Sequence, residues 1–340
     1  MSYYSLIYGL NIQINETIPG IVFSDSTPIS VDVQICFGSM PSWLSEDQYS
    51  RVIWYVSPER EVGADPRLVI WKFNNGYYQV LYADGTEFLI SDYGSEIWAT
   101  WPPQTLSLED TATYLLGPIL GFVLLLRGCS CLHASAIAIG DQAIALLGPA
   151  GAGKSTTAAA FAERGYSILA EDVVTLDDRE DRFLVHPAYP CIRLWPASVK
   201  ALYGEHTDLP RLTPTWEKRY LDLSKDQYEF QNEPLPLAAI YVLGKRLEDA
   251  SAPSIELLSQ SEALISLIAN TYATFLLDKA MRAREFELLD RVIRKVQLRK
   301  VIPHTNPAYI EKLCNLIAED ARELSHRELA PHNQNQGLHV

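Results

Sequence analysis

Residues 146–161 read LLGPAGAGKSTTAAAF, an apolar pair that runs into glycines, a lysine, hydroxyl residues and an alanine run. Residues 148–155 fit the pattern G-x-x-x-x-G-K-[ST] in the setting that the pattern requires, after an apolar strand and before a helix. The glycines allow backbone N–H groups to approach phosphate oxygens, and the N-terminus of the helix adds partial positive charge. The stretch therefore predicts a phosphate-binding loop that joins a strand to a helix.

The loop assigns roles to its own side chains. We expect Lys154 to reach the β- and γ-phosphates of a nucleotide and the Ser155 hydroxyl to ligate Mg²⁺. The residues expected to contact the nucleotide are Gly148, Pro149, Ala150, Gly151, Ala152, Gly153, Lys154, Ser155 and Thr156. Phosphate binding alone does not separate an enzyme that transfers the phosphate from a regulator that senses a nucleotide.

Two acidic residues, Glu171 and Asp172, follow at a distance that returns the chain to the loop. The helix from Ser155 to Arg164 is about 15 Å long, and YSILA at 166–170 returns about 16 Å as a strand. A metal-bound triphosphate needs an oxygen ligand, and a hydroxyl acceptor needs a base during transfer. Successive strand residues face opposite ways, so both acids can act only if the chain bends there. Otherwise one acid is functional and its neighbour is solvated.

The order of the chain predicts several units. Residues 1–105 read as an antiparallel β-rich domain, because 29–37 alternate with period two and turns at 74–76 and 84–85 separate apolar runs. From residue 131, strands alternate with helices, and a turn at 140–141 makes a hairpin that leads into the loop, as in α/β folds. The predicted units are a domain at 1–105, a connecting apolar helix at 106–130, an α/β domain at 131–305, a C-terminal helix at 306–328 and a loose tail at 329–340.

Two helical segments show further patterns. A helix is predicted to start at Ser107 or Leu108, with the acids Glu109 and Asp110 in its first turn. Residues 278–296 place an apolar face opposite a basic one, which is either a solvated surface or a docking surface for a partner. The apolar face comprises Phe286, Leu289, Val292, Ile293 and Val296, and the basic face comprises Arg282, Arg284, Arg291, Arg294 and Lys295.

The composition argues against a nucleic-acid partner and favours a cytoplasmic location. The 340 residues include 28 Lys and Arg against 42 Asp and Glu, a net charge of −14, without a basic cluster interleaved with aromatics. A nucleic-acid partner is therefore not expected. The five cysteines fit neither a disulfide framework nor a zinc spacing, and MSYYSLIYGL lacks the features of a secretory signal, so a cytoplasmic location is expected.

The apolar stretch YLLGPILGFVLLL at 114–126 has no charged residue, as is typical of membrane segments. It runs about 13 residues, short of the roughly 20 that span a bilayer. We expect a helix buried between two domains and no membrane contact.

The sequence around the loop resembles a known family. CLHASAIAIGDQAIALLGPAGAGKST at 131–156, followed by GYSILAEDVVTL at 165–176, is similar to the HPr kinase/phosphorylase family in the order and spacing of its motifs. YPCIRLWP at 189–196 and Tyr-Gly-Leu at 8–10 look more like the HPr-kinase-related kinases found beside ribosomal-peptide modification genes, such as lasso-peptide kinases. The resemblance implies an α/β core with a P-loop, related to ATP-dependent phosphoenolpyruvate carboxykinases, with an N-terminal antiparallel β-rich domain and C-terminal helices.

The same resemblance implies roles for four residues outside the loop. Asp172 would be the catalytic acid/base, Glu171 would bind the metal with Ser155 and Asp172, and His133 and Arg193 would lie near the transferred phosphate. Without the resemblance to this family, the position of His133 at the start of a strand would indicate a structural role. Arg193 could likewise make a surface salt bridge beside a packed Trp195.

The resemblance therefore implies an ATP- and Mg²⁺-dependent kinase that phosphorylates a Ser or Thr hydroxyl of a peptide or protein, such as a lasso-type precursor. The N-terminal domain and the basic helical face are candidates for holding that peptide. Two alternatives stay open, a kinase of a small hydroxylated metabolite and a nucleotide sensor without transfer chemistry. HPr kinases are hexamers, so the resemblance suggests that this chain forms a homo-oligomer. The chain has Arg-Leu-Trp-Pro where HPr kinases have Arg-Gly-Leu-Gly, and this difference argues against reverse phosphorolysis.

Overall fold

A computed structural model describes residues 1–45, 49–58, 66–225, 227–249 and 251–329. Within these ranges the chain is a mixed α/β protein with an eight-stranded sheet, a seven-stranded sheet, a two-stranded sheet and seven α-helices. The coarse fold class predicted from the sequence is therefore confirmed. Residues 330–340 of the predicted tail lie outside the described residues.

The N-terminal sheet has the strand order β1-β2-β3-β8-β7-β6-β5-β4. The predicted hairpins are confirmed, since β5 pairs with β6 across Gly76 and β6 with β7 across Gly85, and both glycines have positive φ. The prediction of a purely antiparallel domain is wrong, because β3 pairs in parallel with both β2 and β8. The strands are β1 (Tyr3–Ile7), β2 (Leu10–Ile14), β3 (Val33–Phe37), β4 (Arg51–Val56), β5 (Leu68–Phe73), β6 (Tyr78–Tyr82), β7 (Glu87–Ile90) and β8 (Glu96–Thr100).

The alternation at 29–37 overstates the length of its strand. Only Val33–Phe37 pairs with neighbours, and Ile29 is fully exposed. Asp32 ends the pairing, because its carboxylate accepts the backbone N–H of Asn11 at 2.8 Å while its own N–H donates to the Asn11 carbonyl. The residues before it have no sheet face to cover.

The connecting helix begins where the sequence predicts. Ser107 caps α1 (Leu108–Tyr114) in a capping box with Asp110. A π-helix (Leu115–Ile119) containing Gly117 and Pro118 then widens one turn before α2 (Leu120–Leu126). The whole helix Leu108–Leu126 has 19 residues, and 78% of its apolar window is buried inside the protein, as in core helices.

The second sheet carries the loop. Its order is β10-β9-β11-β12-β15-β17-β16, and β10 also pairs in parallel with β15, so five strands pair in a ring. The predicted hairpin across 140–141 is confirmed as the antiparallel pair β9–β10. The strands are β9 (Ser130–Ile139), β10 (Gln142–Leu147), β11 (Ile168–Asp178), β12 (Phe183–Val185), β15 (Leu235–Leu243), β16 (Ser254–Leu257) and β17 (Gln297–Ile302); β13 (Cys191–Leu194) and β14 (Arg219–Asp222) form the two-stranded sheet.

The remaining helices flank this sheet. They are α3 (Lys154–Ala162), α4 (Pro196–Tyr203), α5 (Gln260–Ala269), α6 (Lys279–Lys295) and α7 (Ile310–Leu329), with 3-10 turns at Ser42–Ser45, Thr274–Leu276 and Pro307–Tyr309. The apolar face predicted for 278–296 is confirmed at Leu289, Val292 and Val296 and wrong at Phe286, which is 52% exposed. Met281 and Leu288 are buried instead.

The hydrophobic core runs between the two large sheets without a break. One cluster of buried side chains contains Ile35 and Phe88 of the first sheet, Phe122 of α2, and Leu132 and Val173 of the second. A second cluster packs α3 and α7 onto the other face of the second sheet. The predicted domain boundaries stay predictions, while the packing joins the parts that they separate.

Candidate active site

The loop at 148–153 joins β10 to α3 through three glycines with positive φ, at Gly148, Gly151 and Gly153. A Cβ on Gly148 would lie 2.9 Å from the Leu243 carbonyl oxygen, and one on Gly153 would lie 2.8 Å from the Arg246 guanidinium. Gly153 is the N-cap of α3 and supplies no side-chain cap to the first-turn amides. The loop therefore presents a helix N-terminus without a side-chain acceptor, which is the arrangement that binds anions.

Lys154 is buried beneath this loop. Its Nζ donates to the carbonyl oxygens of Gly148 at 2.7 Å and Pro149 at 3.4 Å. Burial lowers the pKa of Lys154, and the charges of Asp172 and Glu171 oppose that shift. Only 7% of the residue is exposed, so its ammonium is held at the mouth of the loop and not in solvent.

Ser155 meets Glu171 at the start of α3. The Ser155 hydroxyl donates to Glu171 Oε1 at 2.6 Å, which brings a hydroxyl and a carboxylate oxygen together. Burial, and next the charge of Asp172, raise the pKa of Glu171. Hard cations such as Mg²⁺ take oxygen ligands of these two kinds, so the pair fits one side of a magnesium site.

Asp172 bends β11 without ending it. The sequence predicts a strand that ends at the acid pair, but β11 continues to Asp178, and Asp172 adopts φ 72° inside it. This left-handed residue interrupts the alternation of the strand. Glu171 therefore turns inward to Ser155 while Asp172 reaches His133, and the two acids act at one place although they are adjacent in a strand.

His133 on β9 lies diagonally across from Asp172 on β11, because the register pairs Asp172 with Ala134 and Val173 with His133. The His133 Nδ1 atom is 3.1 Å from Oδ1 of Asp172 and 3.2 Å from its carbonyl oxygen. Burial would raise the pKa of Asp172, but the hydrogen bond from His133 and the charge of Arg193 outweigh it, so the pKa is held below its usual range. Asp172 is an ionised acceptor at neutral pH.

Arg193 approaches from β13. It is 6% exposed, and its guanidinium donates to the Tyr189 hydroxyl at 2.5 Å. Burial works against the charge, yet Tyr189 and Asp172 raise the pKa of Arg193, so the guanidinium stays charged. The alternative of a surface salt bridge beside a packed Trp195 is not what the structure has, since Trp195 is 57% exposed.

Gly117 of the π-helix faces this group. A Cβ built on Gly117 would stand 3.3 Å from Asp172 Oδ2, 3.6 Å from an Arg193 nitrogen and 3.6 Å from the Tyr272 hydroxyl. Three polar side chains from distant parts of the chain thus converge on a position that has no side chain of its own. π-Helical turns are frequent at functional sites, and here the turn leaves room beside the carboxylate.

The sequence did not predict that four further residues lie in this region. Asn270 accepts the Gly148 N–H with its side chain at 3.2 Å and the His133 N–H with its carbonyl at 2.8 Å, so it links the loop to β9. Tyr272 packs 6.1 Å from the His133 ring, and Tyr8 donates from its hydroxyl to the Leu116 carbonyl at 3.2 Å. Gly117 is the fourth. Only Tyr8 carried a signal, as part of the Tyr-Gly-Leu motif.

The structure thus brings His133, Lys154, Ser155, Glu171, Asp172 and Arg193 to one end of the second sheet. Thr156 points away from this charged group, because its hydroxyl donates to the Ser198 Oγ at 2.8 Å, and it lines a cavity on the outer side of the loop. Among the described residues, no group of three or more His, Cys, Asp or Glu side chains is placed to hold a metal. A magnesium ion would take the Ser155 hydroxyl and the Glu171 carboxylate, with the remaining ligands supplied by phosphate and water, whereas the Asp172 carboxylate, the third expected ligand, contacts His133.

Two cavities flank the group of charges. One of about 230 Å³ lies outside the loop, between Thr156, Ser198, Arg246 and the stacked rings of His304 and Tyr309, whose centroids are 4.0 Å apart. The other has a volume of about 480 Å³. Its walls come from the segments at 109–116, 189–193 and 210–220, and Arg193 is shared with the charged group.

Comparison with protein-family models and with curated proteins finds no match. Among solved structures, the chain is similar to the HPr(Ser) kinase/phosphatase from Coxiella burnetii, with a TM-score of 0.33 and 14% identity over 58% of this chain and 94% of that chain. The function is accordingly inferred from the geometry of the site itself.

Proposed function

We propose that the protein is an ATP- and Mg²⁺-dependent kinase that transfers the γ-phosphoryl group to a Ser or Thr hydroxyl of a peptide or protein. The observation that carries the proposal is the convergence of a phosphate-binding loop, a hydroxyl–carboxylate pair and an ionised aspartate beside a buried arginine. Each part matches a requirement of phosphoryl transfer, in which positioning and charge stabilisation supply most of the catalysis.

The glycine-rich loop and the residues beside it would hold ATP, the phosphoryl donor. Lys154 would exchange its bonds to the Gly148 and Pro149 carbonyls for phosphate oxygens, and the first-turn amides of α3 would donate to them. Ser155 and Glu171 would ligate Mg²⁺, which supplies charge neutralisation of the phosphates when bound. The cavity lined by His304, Tyr309 and Arg246 adjoins Gly153 and has room for a nucleoside.

Asp172, His133 and Arg193 would perform the phosphoryl transfer. The acceptor oxygen bonds to the γ-phosphorus as the bond to the β–γ bridging oxygen breaks, and the hydroxyl proton passes to the Asp172 carboxylate. His133 orients that carboxylate, and Arg193 offsets the charge that develops on the transferred group. A sensor that only binds a nucleotide needs no base, so the ionised Asp172 next to Arg193 favours an enzyme. A lasso-type precursor peptide is the acceptor that the motif resemblance suggests.

The test compares Asp172→Asn with wild type by measuring radiolabelled phosphate transfer from Mg-ATP to Ser- and Thr-containing peptides, together with nucleotide affinity by calorimetry. Asn is isosteric but cannot take the proton, so transfer should fall about 10²- to 10⁴-fold while ATP affinity stays within threefold. Asp181→Asn changes a side chain that is 75% exposed and should leave both quantities unchanged. Full activity in Asp172→Asn would refute the role of the aspartate, and absence of transfer by wild type to any hydroxyl compound would refute the kinase.

A further inference from the structure

We propose that the 480 Å³ cavity beside Arg193 holds an apolar side chain of the acceptor, next to the hydroxyl that receives the phosphoryl group. The inference rests on the proposed kinase function and adds the chemical class of the acceptor. It favours a peptide with an apolar residue beside its Ser or Thr over a small polyhydroxylated metabolite.

The position of the cavity connects it to the chemistry. Arg193 and Leu116 line it, while the next residue of the π-helix, Gly117, faces Asp172. The 230 Å³ cavity lined by Gly153 and Thr156 shares no lining residue with it. A group seated in the 480 Å³ cavity would therefore lie beside Arg193 and Leu116, next to the surroundings of Asp172, and outside the cavity assigned to the donor.

The walls of this cavity are mostly apolar. Ala112 and Leu116 line one side, and Pro210, Leu212 and Pro214 of the segment before β14 line the cavity together with Tyr220 of β14. Arg211 and Glu109, the charged residues on the wall besides Arg193, have opposite signs, and Arg211 is 3.5 Å from Glu217. Thr213 accepts the Trp216 N–H at 3.1 Å. A metabolite with several hydroxyls would lose its hydrogen bonds to water here and find few replacements.

The wall at 210–216 is held in place before any ligand arrives. The Thr215 hydroxyl donates to Asp110 Oδ1 at 2.5 Å, and the same aspartate closes the capping box of α1 with Ser107. The Tyr220 N–H also donates to the Pro210 carbonyl at 2.9 Å. A wall fixed in this way binds an apolar group at lower entropic cost than a loop that must order. Its volume lies within the range of roughly 300–1,000 Å³ typical of ligand pockets.

The test uses acetylated hexapeptides that share one serine and differ only in the residue beside it, which is Leu, Phe, Gln, Asp or Lys. Wild-type enzyme with Mg-ATP should show kcat/KM at least tenfold higher for the Leu and Phe peptides than for the other three. Leu212→Asp places a charge on the cavity wall and should reduce that preference to less than threefold, with KM for ATP within twofold of wild type. Leu212→Trp, which fills the space, should raise KM for the Leu and Phe peptides.

Leu257→Asp is the matched control, because Leu257 on β16 is 77% exposed and outside both cavities, and it should leave the preference intact. Equal rates for all five peptides, or a preference that survives in Leu212→Asp, would overturn this inference while leaving the kinase standing. Transfer to small polyols in place of every peptide would overturn it as well. Absence of transfer to any hydroxyl compound would remove the kinase and this inference together.

Discussion

Glu171 and Asp172 are adjacent in the chain, but their pKa values are shifted in opposite directions. Burial and the adjacent charge raise the pKa of Glu171, whereas His133 and Arg193 hold that of Asp172 down. Asp172 therefore remains ionised across the neutral and mildly acidic range. The acid limb of activity should follow Glu171, because a protonated Glu171 is a poor ligand for Mg²⁺.

The raised pKa of Glu171 also has a consequence for stability. The folded chain binds this proton more tightly than the unfolded chain does, so the ionised group destabilises the fold above the raised pKa, and the penalty disappears as the pH falls through it. Glu171→Gln should therefore raise the melting temperature at pH 8 by a few degrees and lose that advantage near pH 4, while Mg²⁺-dependent transfer is lost. Differential scanning calorimetry at both pH values measures this.

Glu319→Gln is the control for that comparison, because Glu319 is exposed on α7 and should leave the melting temperature unchanged at both pH values. A Glu171→Gln variant that is less stable than wild type at pH 8 would contradict the assignment of Glu171 as a strained buried carboxylate.

At the scale of elements, the π-helix is the feature that the sequence conceals. Charge and apolarity predict a buried helix at 106–130, and the Ser107 cap predicts where it begins. Gly117 and Pro118 mark an irregular turn at Leu115–Ile119, but they do not show that Gly117 faces Asp172, Arg193 and Tyr272 from distant parts of the chain.

Gly117→Val should block the site without unfolding the helix. A Cβ there would be only 3.3 Å from Asp172 Oδ2, and the added methyl groups would occupy the space beside the carboxylate. We expect transfer to fall at least tenfold with unchanged ATP affinity. The melting temperature should fall by only a few degrees, because the restriction of the unfolded chain partly offsets the cost of crowding this buried position.

Peptide phosphorylation and calorimetric ATP binding measure that outcome, and Ala280→Val on the exposed face of α6 is the control for adding a β-branched residue to a helix. Wild-type transfer in Gly117→Val would show that the acceptor does not approach past the π-helix.

Local patterns predicted much of the arrangement. Helix and strand lengths alone return Glu171 to the loop, and the structure has Ser155 and Glu171 in contact. Helix and strand lengths do not predict the φ of 72° at Asp172, which the chain has in place of the predicted strand end. They also do not predict that Asn270 and Tyr272 reach the loop and β9 from about 120 residues or more away in the chain. Those placements follow from packing of α5 and the segment after it, and no short pattern encodes them.

At the scale of the molecule, the two large sheets share one core. Phe122 is 1% exposed and packs edge-on against Tyr78, with ring centroids 5.1 Å apart, inside the cluster that joins them. Removing residues 1–100 would expose this core, so such a truncation cannot test peptide affinity alone. Phe122→Ala should instead destabilise the whole chain by about 3–5 kcal/mol.

Calorimetry should record one unfolding transition for wild type and for Phe122→Ala, with the variant melting lower. Phe275→Ala, at a ring that is 42% exposed, is the matched control and should shift the transition little. Two separate transitions, with only one moved by Phe122→Ala, would show that the sheets unfold independently.

Tyr8 gives the shared core an evolutionary consequence. It lies in the turn between β1 and β2 with φ 55°, and its hydroxyl donates to the Leu116 carbonyl one residue before Gly117. A recombination event that exchanged the first sheet for another β-module would remove a buried partner of the π-helix. An exchange of the N-terminal sheet would therefore disturb the π-helix beside Asp172 as well as the shared core.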